Sequence, residues 1–542
     1  MYYSFSFINT MQVSVLALPI PDLSSPVSLG SERHSVVLPI VKRQRILEKR
    51  DGGVSGSIGT GDLDDLYYTV SIQIGTTTTA LSLDTGSSDL WVMSDNCETD
   101  VCKSSKATPY ASSSGQSTSA SVQLNYGDST TGTHANGPIM KDTVSFAGLA
   151  MANQTFAAIN DTNNLAVVSG GAGIFGLGFP TESFVQYALV DQNNPTHSSN
   201  VFVENMDTDG PLVARLAMTG QLKHPMFSIS LQRDAIDAGG NNGSVTIGDF
   251  PVGVDNSSFT WVSVRLYSHE DGGLSTPTFA PNEIYPLRWE VPLDGVFLDG
   301  DRLPDTNLTG VNKGLTALID TGNSILRGPS DVVNNVLSQV SPAFSANNQA
   351  DPIYPCSTPH TLAFQFGGKQ FLVDPRDFVS QNKAGDANNC LADNIVPTDP
   401  PQTGTLFSWS LGDTFFKSNI VAFYYGNLTH PSVDPPRIGF LSTVPSNADD
   451  QLKSAVKKAQ DNKGQFHSKV DVAPTPTGSL LNVSPTSISF MPPMSTGIVQ
   501  NIANGPSSDS RLHTDRARYC TSFDMVTHPR PTGAKDSRRS LS

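Results

Sequence analysis

Between residues 66 and 445 the apolar positions come in short runs or alternations, broken every few residues by Gly, Asn, Asp or Pro. Tyr68-Thr69-Val70-Ser71-Ile72-Gln73-Ile74-Gly75 keeps the alternating form, and Phe227-Ser228-Ile229-Ser230-Leu231 and Gly243-Ser244-Val245-Thr246-Ile247-Gly248 repeat it. A period of two sends successive side chains to opposite faces, so such segments predict short strands with a buried side. Helical period is scarce. It runs over 331–340, through Asp331, Val332, Val333, Val336, Leu337 and Val340, and again over 211–219. The fold class predicted for the body is therefore all-β.

The two ends read differently. Residues 11–20, MQVSVLALPI, have the length and polarity of a signal-peptide core, which makes 1–20 the expected signal peptide, although no Lys or Arg precedes Arg33. Residues 33–50 carry six basic side chains and one acidic one, Glu48, and end in Lys49-Arg50. That pair predicts a dibasic processing site, a basic propeptide over 21–50, and a mature chain from Asp51. Past Pro445, residues 446–470 have a Lys-rich helical composition, and 473–510 is rich in Pro, Ser, Thr and Gly without a period. The stretch 446–542 is expected to be a polar, disordered tail. No apolar run approaches the ~20 residues that span a bilayer, and the terminal ~10–20-residue apolar tail of a lipid-anchor signal is missing.

Charge sharpens this division. The chain of 542 residues holds 34 Lys+Arg against 50 Asp+Glu, a net charge of −16. Residues 1–50 are net +3, residues 446–542 are net +4, and the body between them is net −23. A nucleic-acid binder would need a basic face, so that class is excluded. A body this acidic repels itself at neutral pH and relaxes as its carboxylates protonate, which suits acidic surroundings. Five cysteines are sparse. Cys97, Cys102, Cys356 and Cys390 allow three pairings, of which proximity favours Cys97–Cys102 with Cys356–Cys390, and Cys520 is left over. Two disulfides would place the protein in an oxidising compartment. Sequons at Asn153, Asn160, Asn242, Asn256, Asn307, Asn427 and Asn482 permit glycosylation. No cysteine or histidine cluster has metal-ligand spacing, so neither metal nor cofactor is expected.

One motif occurs twice. Leu81-Ser82-Leu83-Asp84-Thr85-Gly86-Ser87-Ser88 returns as Ala317-Leu318-Ile319-Asp320-Thr321-Gly322-Asn323-Ser324. Two chance Asp-Thr-Gly triplets are expected in roughly one such chain in a hundred, and the preceding apolar strands make coincidence rarer still. A duplication so widely spaced implies two similar lobes, placed at 51–250 and 251–445. Each Asp ends an apolar strand, where burial alone disfavours its charge. If the two loops meet, the carboxylates cannot both ionise, so they share one proton over a wide acid range. One carboxylate can then take a proton from water while the other donates to a peptide carbonyl oxygen.

On these motifs the sequence resembles the pepsin-like aspartic peptidases, specifically their fungal secreted members, over about 66–445. Asp89-Leu90-Trp91-Val92 follows the first triplet. Asn125-Tyr126-Gly127-Asp128-Ser129 with Thr131-Gly132 is similar to the family's flap, followed by Asp142-Thr143-Val144. Ile174-Phe175-Gly176-Leu177-Gly178 and Trp409-Ser410-Leu411-Gly412-Asp413 resemble the strands that cross behind the two Asp loops, and the favoured cysteine pairs match the family's common disulfides. The resemblance implies a bilobal fold of two pseudo-symmetric β lobes with the active site in the cleft between them. It implies Asp84 and Asp320 as the catalytic dyad, with Thr85 and Thr321 locking the loops through backbone hydrogen bonds. Ser87 would hydrogen-bond Asp84, with Gly86, Gly322 and Asn323 completing the support. Tyr126 and Gly127 would form the flap over the site, with Tyr126 steadied by Trp91 and Asp128 at the tip touching substrate backbone.

The implied activity is that of a secreted aspartic endopeptidase acting on proteins or peptides at acidic pH. It would act as a monomer, outside the cell or in its wall, with the vacuole as the other destination. Two departures stand out. Asn323 replaces the usual Thr or Ser, and its larger amide would donate to Asp320 in a hydroxyl's place. Residues 190–211 look like a surface insertion, read as a tolerated loop. The competing readings are a catalytically weak or inactive pepsin-like peptide-binding protein, for which only Asn323 leaves room, and a structural surface protein, which gives no reason for two buried Asp loops.

Overall fold

The computed structural model describes residues 53–484 apart from 64, 66, 128–131, 195–197, 240–242, 309–313, 400–406 and 475–480. The expected signal peptide and propeptide, Cys520 and the sequon at Asn242 lie outside the described residues. What is described is mostly strand, all-β and bilobal, and it is the alternating segments that build it. In the strand Tyr67–Ile74, Tyr68, Val70, Ile72 and Ile74 are buried while Tyr67, Thr69 and Gln73 are half-exposed.

The first lobe is one large sheet. Its consecutive neighbours include Gly61–Leu63, Tyr67–Ile74, Thr77–Asp84, Gly173–Gly176, Leu90–Met93, Leu149–Ile159, Thr133–Phe146 and Gln116–Tyr126. The second lobe contains a five-stranded sheet ordered Glu290–Pro292, Thr316–Ile319, Trp409–Leu411, Leu326–Gly328 and Ile395–Pro397. A six-stranded antiparallel sheet draws on both halves of the chain: Gly56–Gly59, Ser244–Ile247 and Met226–Ser230 join Asn419–Tyr424, Arg437–Ser442 and Thr260–Ser263. Phe227 stacks on Phe423 across the join, with ring centroids 4.7 Å apart. Aromatic burial on this scale fixes the lobes to a common floor. Disulfides close Cys97 to Cys102 and Cys356 to Cys390.

The period over 331–340 forms the helix Ser330–Val340, which buries Val332, Val333, Val336, Leu337 and Val340, and that over 211–219 forms Leu212–Met218. Two expectations need correcting. The 190–211 insertion is not a plain loop, because it contains the helices Ser199–Glu204 and Met206–Asp209. Phe202, Val203 and Met206 enter a small core with Leu274 and Tyr285, and Asn200 exchanges hydrogen bonds with Thr278. Its abundant Asn, Asp and Ser masked a few apolar anchors. The tail expected from 446 is also ordered in its described part. The helix Ala448–Asp461 buries Leu452, Ala455, Val456 and Ala459 and packs over the short helix Pro375–Phe378. Beyond it, Val470–Asp471 pairs with Gly61–Leu63, and Leu481–Val483 runs parallel to Leu149–Met151, so the segment reaches the sheet of the first lobe. Polar composition concealed this because strands of two and three residues carry no readable period. Among the described residues no helix is long and apolar enough to cross a membrane.

If the Ala448–Asp461 helix is integral to the fold, Leu452→Ala should destabilise the protein by about 2–4 kcal/mol, because Leu452 is 1% exposed. Denaturant unfolding measures this, and an unchanged midpoint would show that the helix is an appendage.

Candidate active site

Each Asp-Thr-Gly turn is held at the end of a buried strand by a second strand crossing beneath it. Thr77–Asp84 pairs in parallel with Gly173–Gly176, setting Gly176 opposite Asp84, and the Leu177 N–H donates to the Asp84 carbonyl at 2.8 Å. Thr316–Ile319 pairs in parallel with Trp409–Leu411, and the Asp320 N–H donates to the Leu411 carbonyl at 3.0 Å. The duplicated sequence thus gives a duplicated backbone arrangement.

The turns are tied to each other by reciprocal bonds. The Thr85 N–H donates to Thr321 Oγ1 at 3.1 Å and the Thr321 N–H to Thr85 Oγ1 at 3.0 Å. Each hydroxyl then donates across the junction, Thr85 Oγ1 to the Ile319 carbonyl at 2.8 Å and Thr321 Oγ1 to the Leu83 carbonyl at 3.0 Å. A threonine hydroxyl is both donor and acceptor, so two of them satisfy four buried backbone groups. This brings the carboxylates face to face. A Cβ on Gly86 would lie 2.3 Å from Asp320 Oδ1, and one on Gly322 would lie 2.4 Å from Asp84 Oδ1. Only glycine leaves room for the opposite carboxylate at either position.

The two carboxyls are dressed unequally. Asp84 Oδ1 accepts from the backbone N–H of Gly86 at 2.8 Å and of Ser87 at 3.2 Å, and Asp84 Oδ2 accepts from Ser87 Oγ at 2.5 Å. Asp320 Oδ1 accepts from the Gly322 N–H at 2.8 Å. Burial raises the pKa of both groups. At Asp84 the donors from Ser87 and Gly86 pull back towards the charged form, whereas at Asp320 the charge on Asp84 adds to the upward push. The richer set of donors on Asp84 favours the charge there and a shared proton on Asp320.

Tyr126 ends the strand Gln116–Tyr126, paired with Thr133 across the hairpin, and its hydroxyl accepts from Trp91 Nε1 at 2.9 Å. Gly127 has φ +79°, a left-handed turn conformation that suits glycine. Asp128 lies outside the described residues.

Asn323 does not reach Asp320, contrary to the expectation from its amide. Its Nδ2 donates to Ser410 Oγ at 3.0 Å, and its Oδ1 accepts from Arg327 Nε at 3.2 Å. The side chain is drawn to the neighbouring strands, where it finds both a donor and an acceptor. Sequence reasoning also missed groups that brace the site. Asp89 accepts from Ser183 Oγ at 2.6 Å and from the Phe184 N–H at 2.8 Å, anchoring the helix Phe184–Asn193 beside the first turn; its burial raises its pKa to about 6. Trp289 Nε1 and Tyr425 Oη both donate to the Leu177 carbonyl, at 3.0 and 2.7 Å, joining second-lobe side chains to the strand end beneath Asp84. The position of Asp89 within Asp89-Leu90-Trp91 was a usable signal; Trp289 and Tyr425 had none, since their partner is a backbone carbonyl.

Comparison with known proteins gives the same answer as the geometry. The family model described as eukaryotic aspartyl protease matches residues 67–430. The chain is 25% identical over 422 residues to Major aspartyl peptidase 1 of Cryptococcus neoformans, covering 75% of this chain and 74% of that protein. It is 27% identical over 376 residues to Rhizopuspepsin-4 of Rhizopus niveus, covering 68% and 78%. Against Pepsin A of the dog it is 26% identical over 374 residues, covering 67% and 80%.

Thr321→Val keeps the shape of the side chain but leaves the Thr85 N–H without this acceptor. The expected loss is about 1–3 kcal/mol of stability, read from denaturant unfolding. A loss no larger than that of an exposed Thr→Val control would mean that the cross-link does not hold the turns.

Proposed function

Given that the chain belongs to the eukaryotic aspartyl protease family and is an aspartic-type endopeptidase, we propose that it hydrolyses internal peptide bonds of proteins at acidic pH, using a water activated between Asp84 and Asp320. The observation that carries this reading is the opposed pair itself: two buried carboxyls, each packed against the other turn's glycine, with unequal hydrogen-bond support. Asp84, carrying the charge, takes a proton from the water as its oxygen bonds to the peptide carbonyl carbon. Asp320 gives its proton to the carbonyl oxygen, so a neutral diol forms without a covalent enzyme intermediate. The proton now on Asp84 passes to the peptide nitrogen, the C–N bond breaks, and Asp320 recovers a proton from the diol hydroxyl. Tyr126, braced by Trp91, orders the substrate over the pair and excludes bulk water.

The acidic preference follows from the same groups. Asp84 must be ionised and Asp320 protonated, so the rate falls on the acid side as Asp84 gains its proton and on the alkaline side as Asp320 loses its own. The net charge of −23 on 51–445 also favours a body that works where part of that charge is neutralised.

In a haemoglobin-digestion assay at acid pH, Asp84→Asn and Asp320→Asn should each lower turnover by about 10²-fold or more, with cooperative unfolding intact. A statine peptide, which mimics the diol, should block the wild type. Retention of most of the activity by either variant would remove that carboxyl from the chemistry. A protein that binds the statine peptide without digesting haemoglobin would favour the peptide-binding reading.

We further propose secretion, supported by the two disulfides, with release of the basic segment at Lys49-Arg50. N-terminal sequencing of the protein recovered from the culture medium should then begin at Asp51. Recovery only from inside the cell, or with residues 33–50 still attached, would count against this.

A further inference from the structure

Position 323 is occupied by a side chain that turns away from Asp320, and the register of the sheet explains what it does instead. Leu318 faces Ser410 across a parallel pair, and Ser410 faces Arg327 across the adjoining antiparallel pair. Residues in one row of a sheet share a face, as do residues two apart along a strand. Leu318, Ser410 and Arg327 form such a row, and Asp320 follows two residues after Leu318. Arg327 is half-buried within the strand Leu326–Gly328. Its Nε donates to Asn323 Oδ1 at 3.2 Å, while Asn323 Nδ2 donates to Ser410 Oγ at 3.0 Å. The Asn323 backbone N–H donates to the Asp320 carbonyl at 3.3 Å, which places this linked set on the turn that carries the carboxyl.

A guanidinium keeps its charge at every pH at which a protein is folded. Asp84, across the pair, opposes the ionisation of Asp320, and Arg327 favours it. Asp413, buried just past the crossing strand Trp409–Leu411, is itself pushed away from ionising by burial and by the charge on Asp320. The family's usual hydroxyl at 323 would favour it too, by a hydrogen bond.

We propose that Arg327, anchored through Asn323 on Ser410, is a positioning residue for the Asp320 carboxyl, supplying by charge what a hydroxyl at position 323 would supply by a hydrogen bond. The proposal rests on the reading of Asp84 and Asp320 as the catalytic pair. It changes the meaning of Asn323: the residue serves as a bracket for a cation and is not a defective hydroxyl. A cation held by an amide on the turn that carries Asp320 biases the proton on that carboxyl through its charge.

The test is the pH–rate profile of peptide hydrolysis by the protein as recovered from its source, set against Arg327→Gln, Arg327→Lys and Asn323→Ala, with thermal melting and statine-peptide binding measured on each. Without the cation Asp320 keeps its proton further up the scale, so the alkaline limb in Arg327→Gln should move to higher pH by about 0.5–1 unit, the size expected of one partly screened charge. Arg327→Lys keeps the charge and should move the limb less than half as far. Asn323→Ala removes the amide that accepts from Arg327 Nε and should move the limb in the same direction as Arg327→Gln. A residue with only a packing role would lower the melting temperature or scale the whole profile without displacing the limb. An alkaline limb that stays in place or moves to lower pH in a cooperatively folded Arg327→Gln enzyme overturns the proposal. If Arg327→Gln does not fold, an unmoved limb in Asn323→Ala overturns it equally. Full hydrolysis by Asp84→Asn would be a different result: it would remove the catalytic pair itself, and this inference with it.

Discussion

The arrangement depends on two threonine hydroxyls. Thr85 and Thr321 each accept a hydrogen bond from the other's backbone N–H and donate one to a carbonyl on the far side. Without them, two strand ends carrying like-charged groups would be brought together with their backbone polar atoms unpaired, at a cost of about 1–3 kcal/mol for each one. With them, the same junction is fully bonded, and the repulsion is confined to the carboxyls, where a shared proton relieves it. The strain that could have opened the cleft becomes the property that makes the pair chemically useful.

That junction needs a floor that does not give. The six-stranded sheet supplies it by mixing strands from both halves of the chain, and Phe227, Trp289, Phe423 and Tyr425 pack together at its centre. Trp289 and Tyr425 end in polar atoms that reach the same Leu177 carbonyl. A buried carbonyl with two lone pairs is satisfied from the opposite lobe, so a hydrogen-bond requirement of the first turn is met by side chains of the second. Rigidity of this kind suits chemistry in which the carboxyls must keep their separation while the substrate is ordered above them.

The sequence carried the parts whose period or spacing was unambiguous. Alternation at Tyr68–Ile74 and helical spacing at Val332–Val340 led directly to buried faces, and the repeated Asp-Thr-Gly identified both turns. Side-chain direction was not legible. Asn323 was expected to address Asp320, yet the partners it finds, Ser410 and Arg327, stand on neighbouring strands and could be located only from sheet register. Polar composition also misled. The 190–211 segment read as loop because anchors such as Phe202 and Met206 are diluted among Asn, Asp and Ser, and after 446 the helical composition was legible but its docking and the short strands beyond it were not. Composition reports averages, whereas docking depends on where a few side chains point.

The pairing of Val470–Asp471 with Gly61–Leu63 has a consequence for how the chain is made. A ribosome delivers residues from the N-terminus, at a pace that lets early domains fold first. Here a border strand of the first lobe is supplied about 400 residues after the segment it completes, a separation that slows closure of the contact. Leu481–Val483, alongside Leu149–Met151, arrives later still. The first lobe therefore waits through synthesis of the second with part of its sheet boundary unpaired, an edge open to wrong partners.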